Sequence, residues 1–224
     1  MKSANTIFAG LTALSCFLIG AGNALGQTSD EASFDGLERV DSSRVHIAYI
    51  NPEADFSVFK RVAILEPYVA FRSNWRRDQN RSRSRNVSVS EMERLKADVG
   101  ALFKEVLIER LEADDGYEIV DAPDYDVLLL RPAIIELDIT APDQRSSGRT
   151  RTMTTSTGSA TLYLELFDSV TGQIIGRAAD RQVIRNTGGN FWVANRTTNT
   201  GEARRMFASW ADVLRDFLDQ HYSE

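Results

Sequence analysis

Two segments of the chain carry apolar residues at helical spacing along one stripe only, and they limit what it can fold into. The first runs from Met92 through Leu95, Val99, Leu102, Phe103, Val106 and Leu107 to Leu111. The second, near the C-terminus, runs from Ala203 through Met206, Phe207, Trp210, Val213, Leu214 and Phe217 to Leu218. A helix with one apolar stripe needs a second layer to bury it. Ser88 and Glu91 form a capping box at the start of the first helix, with Val87 and Met92 as its hydrophobic staple. The acidic turn ending in Gly116 stops it. Asn199 and Glu202 give a capping signal for the second helix.

The layer that receives both helices is read from the rest of the chain. "VHIAYI" (45–50), "RVAILEP" (61–67) and "YEIVD" (117–121) suit short strands. "DVLLLRPAIIELDIT" (126–140) reads as one long strand or a pair. Its first half is apolar on both faces, and its second half places Ile135, Leu137 and Ile139 opposite Glu136, Asp138 and Thr140. Pro132 lacks a ladder donor, which predicts a bulge or kink there. "SATLYLELFD" and "QIIGRAADRQVIR" form a hairpin about "SVTG". The order β-β-α-β-β-β-β-α predicts an α+β fold: a largely antiparallel twisted sheet with two amphipathic helices packed on one face. One domain over 44–222 is expected, preceded by a flexible acidic arm over 27–43.

The N-terminus has the layout of a secretory signal peptide over 1–26. Lys2 precedes an apolar run from Ile7 to Ala21, and acidic sequence follows. Ala24 and Gly26 place cleavage before Gln27, or two residues earlier. A second reading rests on "ALSC", which loosely resembles the lipobox of bacterial lipoproteins and would make Cys16 a lipidated first residue. Ala13 counts against it, standing where a larger aliphatic is usual. Either route exports the protein. No transmembrane span is expected in the mature chain. Loss of residues 1–26 removes Lys2 and the only cysteine but no acid, leaving 25 basic and 32 acidic residues. Disulfides are then excluded.

The chemical inventory favours a non-enzymatic protein. There is no HExxH, Walker loop, GxSxG or GxGxxG. No catalytic residue, metal site or cofactor is expected. The two histidines, His46 in a strand and His221 near the C-terminus, are not at metal-ligand spacing. The runner-up is a hydrolase of envelope polymers using carboxylates drawn from Glu136, Asp138 or Glu165.

One segment departs from the acidic whole. Residues 72–86 hold Arg72, Arg76, Arg77, Arg81, Arg83 and Arg85 against Asp78 alone, in a chain of net charge −6. Arginine suits phosphate and carboxylate groups. "RSSGRTR" adds Arg149 and Arg151, among others. Trp75 and Trp192 are the loop aromatics that would accompany such a site. The rival reading is a solvated loop, since like charges often collect for solubility. Export makes nucleic acid a poor partner. An anionic envelope component or an envelope protein fits better.

"DSSRVHIAYINPEADFSVFKRVAI", "LRPAIIELDITAPDQ", "GRTRTMTTSTGSATLYLELFDSVTGQIIGRAADR" and "ARRMFASWADVLRDFLDQHY" together span most of 41–222. In that order they resemble an uncharacterised family of bacterial exported proteins and lipoproteins, domain of unknown function 3313. The resemblance implies an envelope protein with no catalytic residues to carry over. The expected function is a periplasmic accessory or binding module.

Overall fold

The computed structural model describes residues 35–41, 44–81, 86–139, 153–154, 156–185, 192–193 and 196–222, with backbone alone at 153–154, 156–157, 184–185, 192–193, 196–199 and 222. Its strands are β1 Glu38–Val40, β2 Ile47–Ile50, β3 Arg61–Ile64, β4 Tyr68–Phe71, β5 Glu118–Ile119, β6 Val127–Ile139, β7 Met153–Thr154, β8 Ser156–Asp168, β9 Ile174–Arg185 and β10 Trp192–Val193. Its helices are α1 Trp75–Arg81, α2 Val89–Glu112 and α3 Arg196–Tyr222, with a 3-10 turn at Phe56–Val58.

The hairpin read from "SVTG" forms the middle of the sheet. Asp168 Oδ1 accepts from the amides of Val170 and Thr171, and Gly172 takes the left-handed conformation (φ 68°) that closes the turn. The main sheet runs β1-β2-β9-β8-β6-β3-β5, and β4 pairs with β6 beyond the end of β3. The sheet is mostly antiparallel, as expected, but β3 and β4 run parallel to β6, and β5 runs parallel to β3. The chain that follows β4 returns through α2, and a helical crossover is what parallel pairing requires.

Both long helices lie on one face of this sheet. Phe103, Leu107 and Leu111 of α2, Phe207, Trp210 and Leu214 of α3, and Leu128, Leu130, Leu162 and Leu164 of the sheet form one core. Ser88 caps α2 as read: its hydroxyl accepts from the Glu91 amide at 3.1 Å. Replacing Ser88 by alanine is expected to lower stability by ~1 kcal/mol in urea denaturation. At the other end of α2, Arg215 of α3 donates to the carbonyls of Leu111 and Ala113, each at 2.9 Å. Gly116 gives that guanidinium room, since a Cβ there would lie 2.2 Å from Nη1. The left-handed turn falls on Asp114 and Asp115 rather than on the glycine.

Four expectations are corrected. Val127–Ile139 give one strand, and its bulge is at Glu136, not Pro132. Pro132 stays in register with Leu164, opposite the gap between β3 and β4, where no ladder donor is called for. Glu136 takes φ 52° and shifts the register between Ile135 and Asp138. Alternation from Leu128 to Ile134 would otherwise send Glu136 inward; the extra residue turns it out and buries Leu137 (2 % exposed). The arm expected to 43 gives way earlier, because Leu37 is fully buried and β1 pairs with β2. Asn199 lies inside α3 rather than at its cap, since no proline stops the helix from beginning at Arg196. Finally, the arginine segment is not a plain loop.

Candidate functional site

β4 continues into the arginine segment by pairing with the end of β6, and Arg72 N donates to Leu137 O at 3.0 Å. Asn74 turns the chain at φ 62°, which asparagine tolerates better than most residues, and α1 begins at Trp75. The Trp75 ring stacks on Phe71 at 3.8 Å and 13°. Its Nε1 donates to Ile139 O at 2.7 Å. Trp75 is 1 % exposed and forms a second small core with Val87, packed by Phe71, Met92, Leu95 and Ile139. The expectation of an accessible loop aromatic fails for Trp75, which is instead the anchor that fixes α1 to the sheet. An indole this large and amphipathic is buried when its N–H finds a carbonyl, and here it does.

The arginines separate by role. Arg72 is a strut: Nε reaches Asp138 at 2.8 Å and Nη1 reaches Asp78 at 2.7 Å. These partners raise the Arg72 pKa, and the Arg72 hydrogen bond holds Asp78 below its usual range. Asn80 closes the segment, accepting from the Val87 amide at 2.7 Å. Arg76, Arg77 and Arg81 are exposed on α1. Arg77 and Arg81 stand one helical turn apart, on one face. Arg83, Arg85, Arg149, Arg151 and Cys16 lie outside the described residues, and Trp192 is described as backbone only, paired with Thr154.

The runner-up carboxylates are not brought together. Glu136 is exposed at its bulge. Asp138 pairs with Arg72 and faces Ser159, whereas Glu165 lies six residues further along β8, roughly 20 Å away. Glu165 sits on the sheet face away from the long helices. There it accepts from Arg131 Nε at 2.6 Å, Tyr163 OH at 3.0 Å and Arg177 Nη2 at 3.3 Å. Arg131, Glu165 and Arg177 are direct cross-strand neighbours, and Arg177 also reaches Asp35 at 2.6 Å. This is a neutralised ladder that ties β6, β8 and β9.

A polar centre that sequence reading missed lies on the helix side. Asp180 of β9, 7 % exposed, accepts from Trp210 Nε1 at 2.7 Å, His46 Nδ1 at 2.6 Å and Gln182 Nε2 at 3.2 Å. An ionised carboxylate only accepts, so His46 Nδ1 carries the proton. Burial pushes the Asp180 carboxyl up, but the bonds from Trp210, His46 and Gln182 outweigh it and hold it below its usual value. Its signal was present in "IIGRAAD": Gly176, Ala178 and Asp180 share the inward face of β9, which puts one acid at a core position. His221 donates Nδ1–H to Phe217 O at 2.8 Å and packs on Phe56, a structural use. Among the described residues no cluster of His, Cys, Asp or Glu could hold a metal, and no helix is long and apolar enough to cross a membrane.

No curated protein matches the chain. Among solved structures it is similar to a PelC dodecamer from Paraburkholderia phytofirmans (10 % identity, covering 72 % of this chain and 91 % of that one, TM-score 0.35). It is also similar to protein XCC0632 of Xanthomonas campestris, described as DUF330 (10 %, 78 % and 93 %, TM-score 0.40). A third likeness is to a putative neuraminyllactose-binding hemagglutinin homolog from Helicobacter pylori (12 %, 82 % and 95 %, TM-score 0.33). Likenesses of this degree assign no ligand or activity to the chain. The profile described as "Protein of unknown function (DUF3313)" matches residues 26–214, and the chain belongs to that family.

Proposed function

We propose that the protein is an exported, non-enzymatic binding module of the cell envelope that docks on a phosphate-bearing surface through α1. The observation that carries this reading is the anchored arginine platform. Trp75, Arg72 and Asn80 hold a short helix against the sheet, so that Arg76, Arg77 and Arg81 project from a fixed base. A solvated loop needs no such anchor. Fixed arginines lose less conformational freedom on meeting an anion, and their forked heads match phosphate oxygens. The signal-peptide layout of residues 1–26 supports the compartment. The non-enzymatic reading is supported by the carboxylates: Glu165 and Asp138 are taken up by arginines, far from each other.

The test is co-sedimentation of the purified protein with phosphatidylglycerol vesicles, beside neutral phosphatidylcholine vesicles. Arg76, Arg77 and Arg81 together changed to glutamine are expected to weaken anionic-vesicle binding on the order of 100-fold, at about 1 kcal/mol per arginine. Wild-type binding should fall as salt rises. Equal binding by the variant, or salt-independent binding, would overturn the reading.

A further inference from the structure

On the opposite side of β6 from α1, between α3 and the β2–β9–β8 part of the sheet, lies a cavity of about 350 Å³. The sequence makes it. On β8 the inward residues are Leu162, Leu164 and Leu166; their partners across β9 are Asp180, Ala178 and Gly176, and beyond the last two stand Ala48 and Ile50 of β2, so the middle of the row is Ala178 and Ala48. Small side chains leave space under a helix that the leucines hold at their own height. The remaining wall comes from Trp210, Val213, Leu214 and Phe217 of α3. The Trp210–Asp180 bond pins α3 to β9 at one end, and Phe217 packs edge-on against Phe56 at 5.1 Å. The helix is thus held off the small residues at both places.

The shape and chemistry of this space select a ligand class. Its floor from Leu162 to Leu166 is roughly 13 Å long, and its α3 wall from Trp210 to Phe217 is roughly 10 Å. The interior is aliphatic and aromatic. Asp180, the one acid on its inner wall, already accepts three hydrogen bonds. Asp41 and Arg44, from the β1–β2 connection, stand among the lining residues at the rim. Arg44 spans from there to Asp216 of α3 at 2.5 Å, with both side chains about half exposed (46 % and 51 %). An exposed ion pair of this kind is weak, so an incoming carboxylate or phosphate can take the place of Asp216 on Arg44. We infer that the cavity beneath α3 binds a single aliphatic chain with an anionic head, the chain lying along Leu162–Leu166 and the head meeting Arg44. This site is independent of the arginine platform, and loss of one leaves the other in place.

Trp210 lines the cavity and reports on it. Adding dibromostearate to the purified protein should quench tryptophan fluorescence saturably, because bromine quenches on contact. Trp210→Phe should remove the quench, which assigns it to this position. In a series from octanoate to tetradecanoate, competing affinity should rise about fourfold per methylene and then stop rising once the floor is filled. Ala178→Leu should fill the space, abolish quenching and leave the melting temperature equal or higher; Ala48→Leu is the second blocking variant. Arg44→Gln should weaken the acid but not its methyl ester. Transfer of quenching from brominated phospholipid vesicles would identify a membrane lipid as the source of the chain, and quenching by the free acid alone a fatty acid. Absence of saturable quenching, or quenching that persists in folded Ala178→Leu and Ala48→Leu, would overturn the inference. So would affinity that climbs with chain length without limit, the mark of surface adsorption.

Discussion

Trp75→Ala is expected to lower stability by about 3–5 kcal/mol if α1 unfolds with the whole domain, which for this size is a fall in melting temperature of roughly 10 °C or more. The truncation removes the stack on Phe71, the bond to Ile139 O and most of the small core around Val87. That core is separate from the main one, which gives the measurement a second arm. If α1 opens by itself, global urea unfolding falls by less, and amide exchange quickens over 75–81 while the α2 and β8 amides stay protected. In both cases Arg76, Arg77 and Arg81 keep their charge but lose their base. Anionic-vesicle binding by Trp75→Ala is then expected to fall towards that of the triple glutamine variant. Trp75→Phe separates the two contributions, since it keeps a ring on Phe71 and loses only the hydrogen bond. It should cost about 1–2 kcal/mol and retain vesicle binding. Full vesicle binding by a Trp75→Ala protein whose α1 amides exchange freely would show that the charges act without the platform.

The parts of this architecture that were legible in the sequence are those where local pattern and burial agree. Ser88 and Glu91 predicted the α2 cap because a capping box is a local device. The 160–185 hairpin was visible because Leu162, Leu164 and Leu166 alternate ahead of a turn signal, with a second apolar run beyond it. The missed parts depend on partners far along the chain. β4 is four residues, "YVAF", beside a proline, and pairs only because β6 extends past β3 to meet it. α1 has no apolar stripe, and one tryptophan finding a carbonyl 64 residues away decides that it packs. The Glu136 bulge follows from register against β8, which periodicity within β6 alone does not determine. The cavity was illegible for the same reason. Ala48, Gly176 and Ala178 are ordinary singly, and they make a space only when the pairing of β2 with β9 sets them side by side under α3.

Asp180 joins the sheet to α3, and its removal should be felt in stability and in acid sensitivity. In Asp180→Ala the Trp210 indole N–H is buried without an acceptor, while the exposed His46 turns to water. The orphaned donor alone is worth about 1–3 kcal/mol. Asp180→Asn keeps the shape and, with its amide oxygen turned to Trp210 and Gln182, sets its N–H₂ against His46 Nδ1 alone, so a smaller loss of about 1–2 kcal/mol is expected. The pH dependence has a definite sign. The folded carboxyl lies below its usual value despite burial, because Trp210, His46 and Gln182 favour the anion. The unfolded carboxyl titrates near ~3.9. Stability from these bonds is therefore complete above about pH 4 and is lost as pH falls through the lower, folded value. Asp78, Asp124, Asp126 and Asp168 are held low by their own partners and lose stability in the same direction, so the whole-protein acid slope does not isolate Asp180. The difference between wild type and Asp180→Asn does. Urea midpoints measured from about pH 6 down to about pH 3 should show the two proteins furthest apart at the upper end and converging below about pH 4. A constant gap across that range would mean that the folded carboxyl titrates like the unfolded one, and that the loss in Asp180→Asn comes from packing alone. A gap that widens on acidification would reverse the sign and with it the assignment of Asp180 as the anion that holds α3 to the sheet.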